Sequence, residues 1–360
     1  MKASRTTLGV AALLVALVAC TSTTGTVVAS SSSPATPSSS HPPFTPPPPP
    51  PDAPLTGVVT TEALARRPLL AIKIDNHTAA RPHIGLDHAD IVYEEPVEGG
   101  ITRFIAIYQS RNASTVGPIR SARLTDIDVL EQYGRVPLAY SGAAGYVLRA
   151  ISRSKTISLA HGGLGSIYHR AGGRPAPHNL FSSTKELYAA ARARNPSVPR
   201  APFTFGALLE PPQPSGSPSP STAPARWPSG ASVRIPFTSA PWIAVWRYDE
   251  RQRVYRRWHS STPHRVAGGE QVTARNVIVM RVETRSVNRE AARRGTPQLA
   301  LTGSGDAVLL RDGVRIAGRW SRAALSDMFA FTDARGRPWT FATGNTWIEL
   351  VPTRIRPSYG

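Results

Sequence analysis

The sequence predicts an α+β protein: an amino-terminal α/β domain with a mixed sheet, followed by a mostly β carboxyl-terminal domain. Three observations carry this reading. Short apolar runs alternate with helix-period segments through the first half, the pattern of strands feeding helices. The second half shows apolar–polar alternation broken by turn signals, of which Asp312-Gly313 is the strongest. Between the halves, Pro211 to Gly230 is a Pro- and Ser-rich stretch that cannot bury a core.

In chain order, Pro68 to Ile74 is an apolar run closed by Asp75-Asn76 and reads as a buried strand. Ala89 to Tyr93 and Ile101 to Tyr108 are two more strands. A helix is expected from about Ala122, because Leu124, Ile127, Leu130 and Tyr133 keep helical spacing and Gly134 can end it. Val136 to Tyr140 then reads as a strand and Gly145 to Ile151 as a helix. A further short strand–helix pair is expected from Thr156 to His169. The last helix of the domain carries a capping box, Ser183 with Glu186. In the second half, Trp242 to Tyr248 and Arg253 to His259 form a hairpin, and Val277 to Val282 suits a central strand. Ala307 to Arg311 and Val314 to Trp320 flank Asp312-Gly313. Phe329 to Thr332 and Trp339 to Ala342 flank a turn, and Asn345 to Val351 is a last strand. A small curved sheet or barrel is the expected arrangement.

Ahead of the domains stands an export signal. Lys2 and Arg5 precede the apolar stretch Gly9 to Val18, which is too short to span a bilayer comfortably. It ends in Leu17-Val18-Ala19-Cys20, which resembles the bacterial lipobox, with Cys20 as the lipid-attachment residue. Cys20 is the sole cysteine in the sequence. Intrachain disulfides, zinc–thiolate sites and thiol catalysis are therefore excluded. The division read from the sequence is a signal peptide over 1–19 and a Ser/Thr/Pro-rich disordered stalk over 20–56. An α/β domain over 57–205, a Pro/Ser-rich linker over 206–230 and a mostly β domain over 231–355 follow. The expected location is the extracytoplasmic face of the cell membrane, with the lipid bilayer as partner through acylated Cys20.

The formal net charge is +19, from 42 Lys and Arg against 23 Asp and Glu. Outside a cell this excess suits an anionic wall polymer, lipid head groups or an envelope protein, while export argues against nucleic acid. Arginine richness also follows from a GC-rich genome, so charge alone identifies no partner.

Polar residues of the first domain gather at strand ends. Asp75, Asn76, His77 and Arg81 follow the first strand, Glu94, Glu95 and Glu98 lie between the second and third, and Arg103 opens the third. Arg120 and Arg123 lead into the first long helix. Ligands of α/β sheets sit at the carboxyl ends of strands, and arginines beside a helix start suit phosphate or carboxylate. The candidate ligand-binding set is Arg81, Arg103, Arg120, Arg123, Asp75, Asn76, Glu94, Glu98, His178 and Asn179. A second reading stays open beside it, in which these arginines pair with Asp75, Glu94 and Glu98 in a buried ionic network. His178-Asn179 is either an acid–base pair or a helix cap with a satisfied imidazole.

Several ordered blocks resemble the YerB-like family of bacterial lipoproteins. They are Ile74-Asp75-Asn76-His77, Ala80-Arg81-Pro82, Ala89-Asp90-Ile91-Val92-Tyr93-Glu94, Glu98-Gly99-Gly100-Ile101-Thr102-Arg103-Phe104, Val116-Gly117-Pro118-Ile119-Arg120-Ser121-Ala122-Arg123 and Ala176-Pro177-His178-Asn179-Leu180. In the second half, Ala274-Arg275-Asn276-Val277-Ile278-Val279 and Gly344-Asn345-Thr346-Trp347-Ile348 continue the likeness, which spans about residues 57 to 355. The resemblance implies an extracytoplasmic, two-part lipoprotein and does not specify its chemistry. The Pro-rich stretch at 211 to 230 and the long stalk depart from the family pattern without touching these blocks.

Catalytic signatures are absent from the sequence. There is no G-x-S-x-G elbow, no P-loop and no Ser-x-x-Lys arrangement at Ser121. His77, His83 and His88 lack metal-ligand spacing, so neither a metal nor any other cofactor is expected. Glu94, Glu95 and Glu98 supply either a two-carboxylate hydrolase pair or ionic partners for arginines. The seven tryptophans offer a carbohydrate platform or, more simply, core and cross-strand packing. The sequence thus favours a non-catalytic lipoprotein binding an anionic envelope component or envelope protein. Its alternative is an enzyme on phosphate-bearing, lipid-linked wall precursors, with Arg81, Arg103, Arg120 and Arg123 as a phosphate clamp.

Overall fold

The computed structural model describes residues 50–211, 226–238, 242–285, 289–293 and 295–360. Cys20, the signal and nearly all of the stalk lie outside the described residues, as does 212–225 of the linker.

A one-turn helix α1 (Glu62–Ala65) leads into β1 (Leu70–Asp75), followed by β2 (Ile91–Pro96) and β3 (Thr102–Tyr108). All three strands are buried along their whole length, which is why their apolar residues follow one another rather than alternate with exposed polar ones. Helix α2 (Leu124–Leu130) passes into a 3-10 turn that stops at Gly134, whose φ is 80°. β4 (Pro137–Tyr140), α3 (Gly145–Arg153) and β5 (Ile157–Ala160) follow. Only a single 3-10 turn, Gly165–Ile167, appears where a helix was expected after β5. Gly162, Gly163 and Gly165 make a longer helix there entropically costly. Helix α4 (Thr184–Arg192) has the expected cap, with Ser183 Oγ accepting from Glu186 N–H at 3.1 Å and donating to its carboxylate at 2.8 Å.

The second half supplies β6 (Ser232–Pro236), β7 (Ile243–Asp249), β8 (Val254–His259), β9 (Asn276–Val282), β10 (Gly303–Arg311), β11 (Val314–Arg322), β12 (Ala330–Asp333) and β13 (Thr346–Pro352). β10 and β11 form the hairpin signalled by Asp312-Gly313, where both residues take positive φ, 48° and 77°.

These strands do not close into a barrel of their own. β9 to β13 join β1 to β5 in one ten-stranded mixed sheet of order β12-β11-β10-β9-β13-β2-β3-β1-β4-β5. The join lies between β2 and β13, which run parallel with Ile91 opposite Thr346 and Glu94 opposite Glu349. β9 and β13 are almost wholly buried on both faces, as interior strands of a large covered sheet must be. β6 to β8 form a second, smaller sheet with three two-residue strands.

The large sheet has a core on each face. One contains Val129 and Leu130 of α2 and Val147 and Ile151 of α3, packed on Ala71, Tyr93 and Ile105. The other contains Leu187 of α4 and Val233, Trp246 and Tyr255 of the small sheet, packed on Ile72, Phe104 and Trp347. Helices thus cover one face, and the small sheet with α4 covers the other. Of the tryptophans, Trp246, Trp320, Trp339 and Trp347 are buried in these cores.

Candidate functional site

The loop from Gly117 to Arg123 is threaded between the carboxyl ends of the parallel strands β1 and β4. Arg120 N–H donates to Lys73 O at 2.8 Å, and Arg120 O accepts from Ser141 N–H at 3.0 Å. On its other side, Ile119 N–H donates to Leu180 O at 2.7 Å. This close approach requires Gly117. Its φ is 148°, and a Cβ there would meet the Phe181 ring at 2.7 Å and Leu180 O at 2.8 Å. The backbone therefore brings the end of β1, the Arg120 loop and the segment before Leu180 to one place.

Asp75, the last residue of β1, is the centre of this place. Its side chain is fully buried; Oδ2 lies 2.7 Å from His178 Nδ1 and 3.1 Å from Arg120 Nε, and Oδ1 accepts from His77 N–H at 3.1 Å. Burial pulls this carboxyl upward, but the His178 and His77 hydrogen bonds, with Arg120 and Arg103, outweigh it and hold it below its usual range. His178 stacks on His77, with ring centroids 4.4 Å apart, and Trp242 lies 6.3 Å from His77 with a buried, unpaired indole N–H. His77 Nδ1 accepts from Ala79 N–H at 3.2 Å, and burial and the neighbouring His178 push its titration down. His178 is thus not a helix cap; it pairs across the fold with Asp75. Asn179 stabilises its own loop, taking Arg170 Nη1 at 2.8 Å on Oδ1.

The four arginines of the expected clamp differ in how open they are. Arg123 is engaged by Glu98, through Nε at 3.0 Å and Nη2 at 2.6 Å, and its Nη1 donates to Ala122 O at 2.8 Å. Arg123 and Thr296 together overcome the burial of Glu98 and hold its carboxyl at about 2. Arg103 is buried and donates to Ser121 O at 3.0 Å; burial and Arg123 lower its titration to about 10. Arg81 donates to the backbone and side-chain oxygens of Asn76 at 3.0 and 3.2 Å, and burial lowers it to about 10 as well. Arg120 is one-fifth exposed, and its terminal nitrogens have no protein partner among the described residues.

Glu94 and Asn76 belong to a fully buried network beneath the small sheet. Glu94 Oε1 accepts from Thr102 Oγ1 at 2.6 Å, which itself accepts from Asn76 Nδ2 at 2.7 Å. Glu94 Oε2 accepts from Arg257 Nη2 of β8 at 2.5 Å, so the carboxylate of one half is neutralised by the other. Glu349 on β13 faces the same pair; burial, and then Glu94, raise it far above the usual carboxyl range, while Trp246 Nε1 donates to it at 2.7 Å. From Arg257, hydrogen bonds run to His264 Nδ1 at 2.9 Å, from His264 Nε2 to His83 Nδ1 at 2.8 Å, and from His83 Nε2 to Asp75 O at 2.7 Å. One tautomer set satisfies every link if both imidazoles are neutral and carry their protons on Nε2. Sequence reasoning missed Arg257, His83, His264 and Glu349. A cation in an alternating strand, read for its inward parity, would have flagged Arg257. Among the described residues no group of three or more His, Cys, Asp or Glu is placed to hold a metal ion.

The architecture and the cluster define a mixed-sheet protein of two sequence halves sharing one large sheet, with an Asp–His–Arg cluster at the carboxyl end of β1. Residues 55–197 match the family described as "Protein of unknown function (DUF3048) N-terminal domain", and 233–348 match its "C-terminal domain". The chain belongs to this family, the YerB-like family that its motif blocks resemble. A Bacillus subtilis (strain 168) relative named "Putative lipoprotein YerB" is 27% identical over 304 residues, 83% of this chain and 86% of the relative. The crystal structure of YerB protein from Bacillus subtilis matches with a TM-score of 0.72 at 24% identity, covering 85% of this chain and 99% of that one. It shows the shared fold.

Proposed function

We propose that this chain is a lipoprotein, held by acyl chains on Cys20 at the extracytoplasmic face of the cell membrane, and that its folded body binds an anionic envelope component at the Asp75 cluster. The name of the Bacillus relative and the Leu-Val-Ala-Cys sequence support the anchor. Two or more acyl chains at roughly 0.8 kcal/mol per methylene suffice for firm attachment. The observation that carries the binding reading is Arg120. It meets Asp75 through Nε and leaves its terminal N–H groups open beside His178, with Arg103 and Arg123 adding positive field. The four-arginine clamp contracts to this one residue, since the other three are engaged by protein groups.

Two experiments test the reading. Labelled palmitate enters the wild-type protein and not Cys20→Ala; equal labelling of both removes the anchor. The chain from residue 20 carrying Cys20→Ser is titrated with glycerol phosphate polymer and with a polyprenyl phosphate. Arg120→Ala weakens binding at least ~tenfold, the loss of one charge-assisted contact, and unchanged affinity removes the site.

The Asp75–His178 pair favours a second reading, an enzyme acting on phosphate-bearing, lipid-linked wall precursors. A carboxylate on Nδ1 leaves Nε2 as a free base, the arrangement used in general base catalysis. On this reading the wild type releases phosphate from a polyprenyl diphosphate, and His178→Asn abolishes release while retaining affinity. Absence of turnover in the wild type leaves binding alone.

A further inference from the structure

At the opposite end of β1 from Asp75, helix α4 and the strand starts enclose a groove of about 580 Å³, within the range of small-molecule sites. Its floor is apolar, formed by Pro68 ahead of β1, Pro137 at the start of β4 and the ring of Tyr188. Lys185, Tyr188 and Arg192 are three and four residues apart on α4 and so share one stripe of the helix. Arg67 lines the groove beside Tyr188. Its guanidinium donates to Gln109 O at 2.5 Å, Asn112 Oδ1 at 2.7 Å and Arg111 O at 3.3 Å, and lies 4.9 Å over the Tyr188 ring. Tyr188 is fixed in turn by its hydroxyl, which donates to Tyr108 O at 2.8 Å.

Arg67 and Tyr188 are therefore held by hydrogen bonds to the fold, while the cations on the helix are not committed. Lys185 and Arg192 are exposed, with no ion pair or hydrogen bond among the described residues. No carboxylate lines the groove among the described residues. Solvated lysines and arginines on a helix are ordinary, and Arg192 suits the negative end of the helix dipole. That account explains the charges but not the apolar floor they flank, in which Pro68 and Tyr188 stay half-exposed beside the buried Pro137.

We propose that this groove binds an anionic phospholipid, with the headgroup phosphate between Lys185 and Arg192 and the adjoining chain laid over Pro68, Pro137 and Tyr188. Free phosphate gains nothing from the floor, and a zwitterionic lipid gains little from two uncompensated cations. The site is distinct from the Asp75 cluster and does not depend on Cys20.

The test uses the chain from residue 20 with Cys20→Ser, so that no acyl anchor is present. Dihexanoyl phosphatidylglycerol is titrated below its micelle concentration, beside dihexanoyl phosphatidylcholine and inorganic phosphate. The anionic lipid binds at least ~tenfold more tightly than either. The paired substitution Lys185→Gln/Arg192→Gln removes that preference, whereas the equally charged change Arg251→Gln/Arg285→Gln, elsewhere on the surface, alters affinity by less than about twofold. Equal affinity for the zwitterionic lipid overturns the charge requirement, and equal affinity for inorganic phosphate overturns the lipid. A loss as large in the control pair reduces the effect to net charge and also overturns the site. Arg120→Ala leaves this binding unchanged, so failure here and failure of the Asp75 site read out separately.

Discussion

Lys73 lies in the middle of the apolar run that identifies β1, and it can be buried there because two carboxyl groups meet it. Its ammonium contacts Glu95 and lies 2.7 Å from Asp126 Oδ1, with all three side chains fully buried. Two ionised carboxylates around one cation would leave a net buried charge. Burial raises Glu95 to about 7, against the pull of Lys73 and with a push from Asp126, so below that pH the third group is a neutral acid. Replacing Lys73→Met leaves two buried carboxyls without their cation and costs about 3–5 kcal/mol in urea unfolding. Glu95→Gln keeps the shape of the neutral acid. A group whose folded pKa is raised binds more protons in the folded state between its usual value of 4.5 and 7, so its contribution to stability falls as pH rises through that window. The wild type therefore loses stability relative to Glu95→Gln between pH 5 and 7.5, and parallel profiles for the two proteins would refute the neutral acid. A lysine within an apolar strand already signals a buried partner, but Asp126 lies on α2, and its position depends on where that helix packs. Asp75 and His178 were likewise visible as polar residues at element ends, while their pairing across about a hundred positions was not.

At the scale of elements, strand and helix identities were largely legible because they follow from local period and capping. The β10–β11 turn and the α4 cap are set by two or three adjacent residues. The pairing of β2 with β13 is not local. It depends on two long apolar runs from opposite halves recognising one another's register, and either would serve equally well inside a sheet of its own half. Besides the shared apolar core, a more specific contact joins the small sheet to the large one, the Arg257–Glu94 pair under β8. Arg257→Met removes the cation and leaves Glu94 beside Glu349 in a buried site, a loss of about 3–5 kcal/mol. The loss should appear first in the small sheet. Backbone amides of Trp246 and Tyr255 will exchange faster by hydrogen–deuterium measurement, while those of Ile72 and Ile105 keep protection until global unfolding. Uniform acceleration in both sheets would mean that the pair stabilises the whole body as one unit rather than anchoring one layer.

For the whole molecule, the buried titratable groups form two opposed sets, and their balance predicts the response to acid. His83, His259 and His264 are held below their usual 6.5 by burial, His83 to about 3. The unfolded chain binds more protons at these histidines, so they withdraw stability as pH falls from 6.5. Glu95, Glu349 and Asp128 are raised chiefly by burial, Asp128 to about 6. They add stability over the same fall, until the unfolded carboxyls protonate too. Between about pH 6.5 and 4.5 the two sets oppose each other, and stability stays nearly level. Below 4.5 for the glutamates and 3.8 for Asp128 the raised carboxyls no longer differ between the states, whereas the histidines continue to withdraw stability. Glu98 and Asp75, held below their usual ranges chiefly by Arg123 and His178 against their burial, then begin to lose their ion pairs. Every remaining contribution has the same sign. His83 alone removes about 1.4 kcal/mol per pH unit there, with His259 and His264 acting in the same direction. The urea midpoint should therefore be flat from pH 6.5 to 4.5 and fall steeply from 4.5 toward 3. A midpoint that declines steadily from 6.5 would show the raised carboxyls to be ionised in the folded state, and a midpoint level down to 3 would show the Arg257–His264–His83 chain to be open to water.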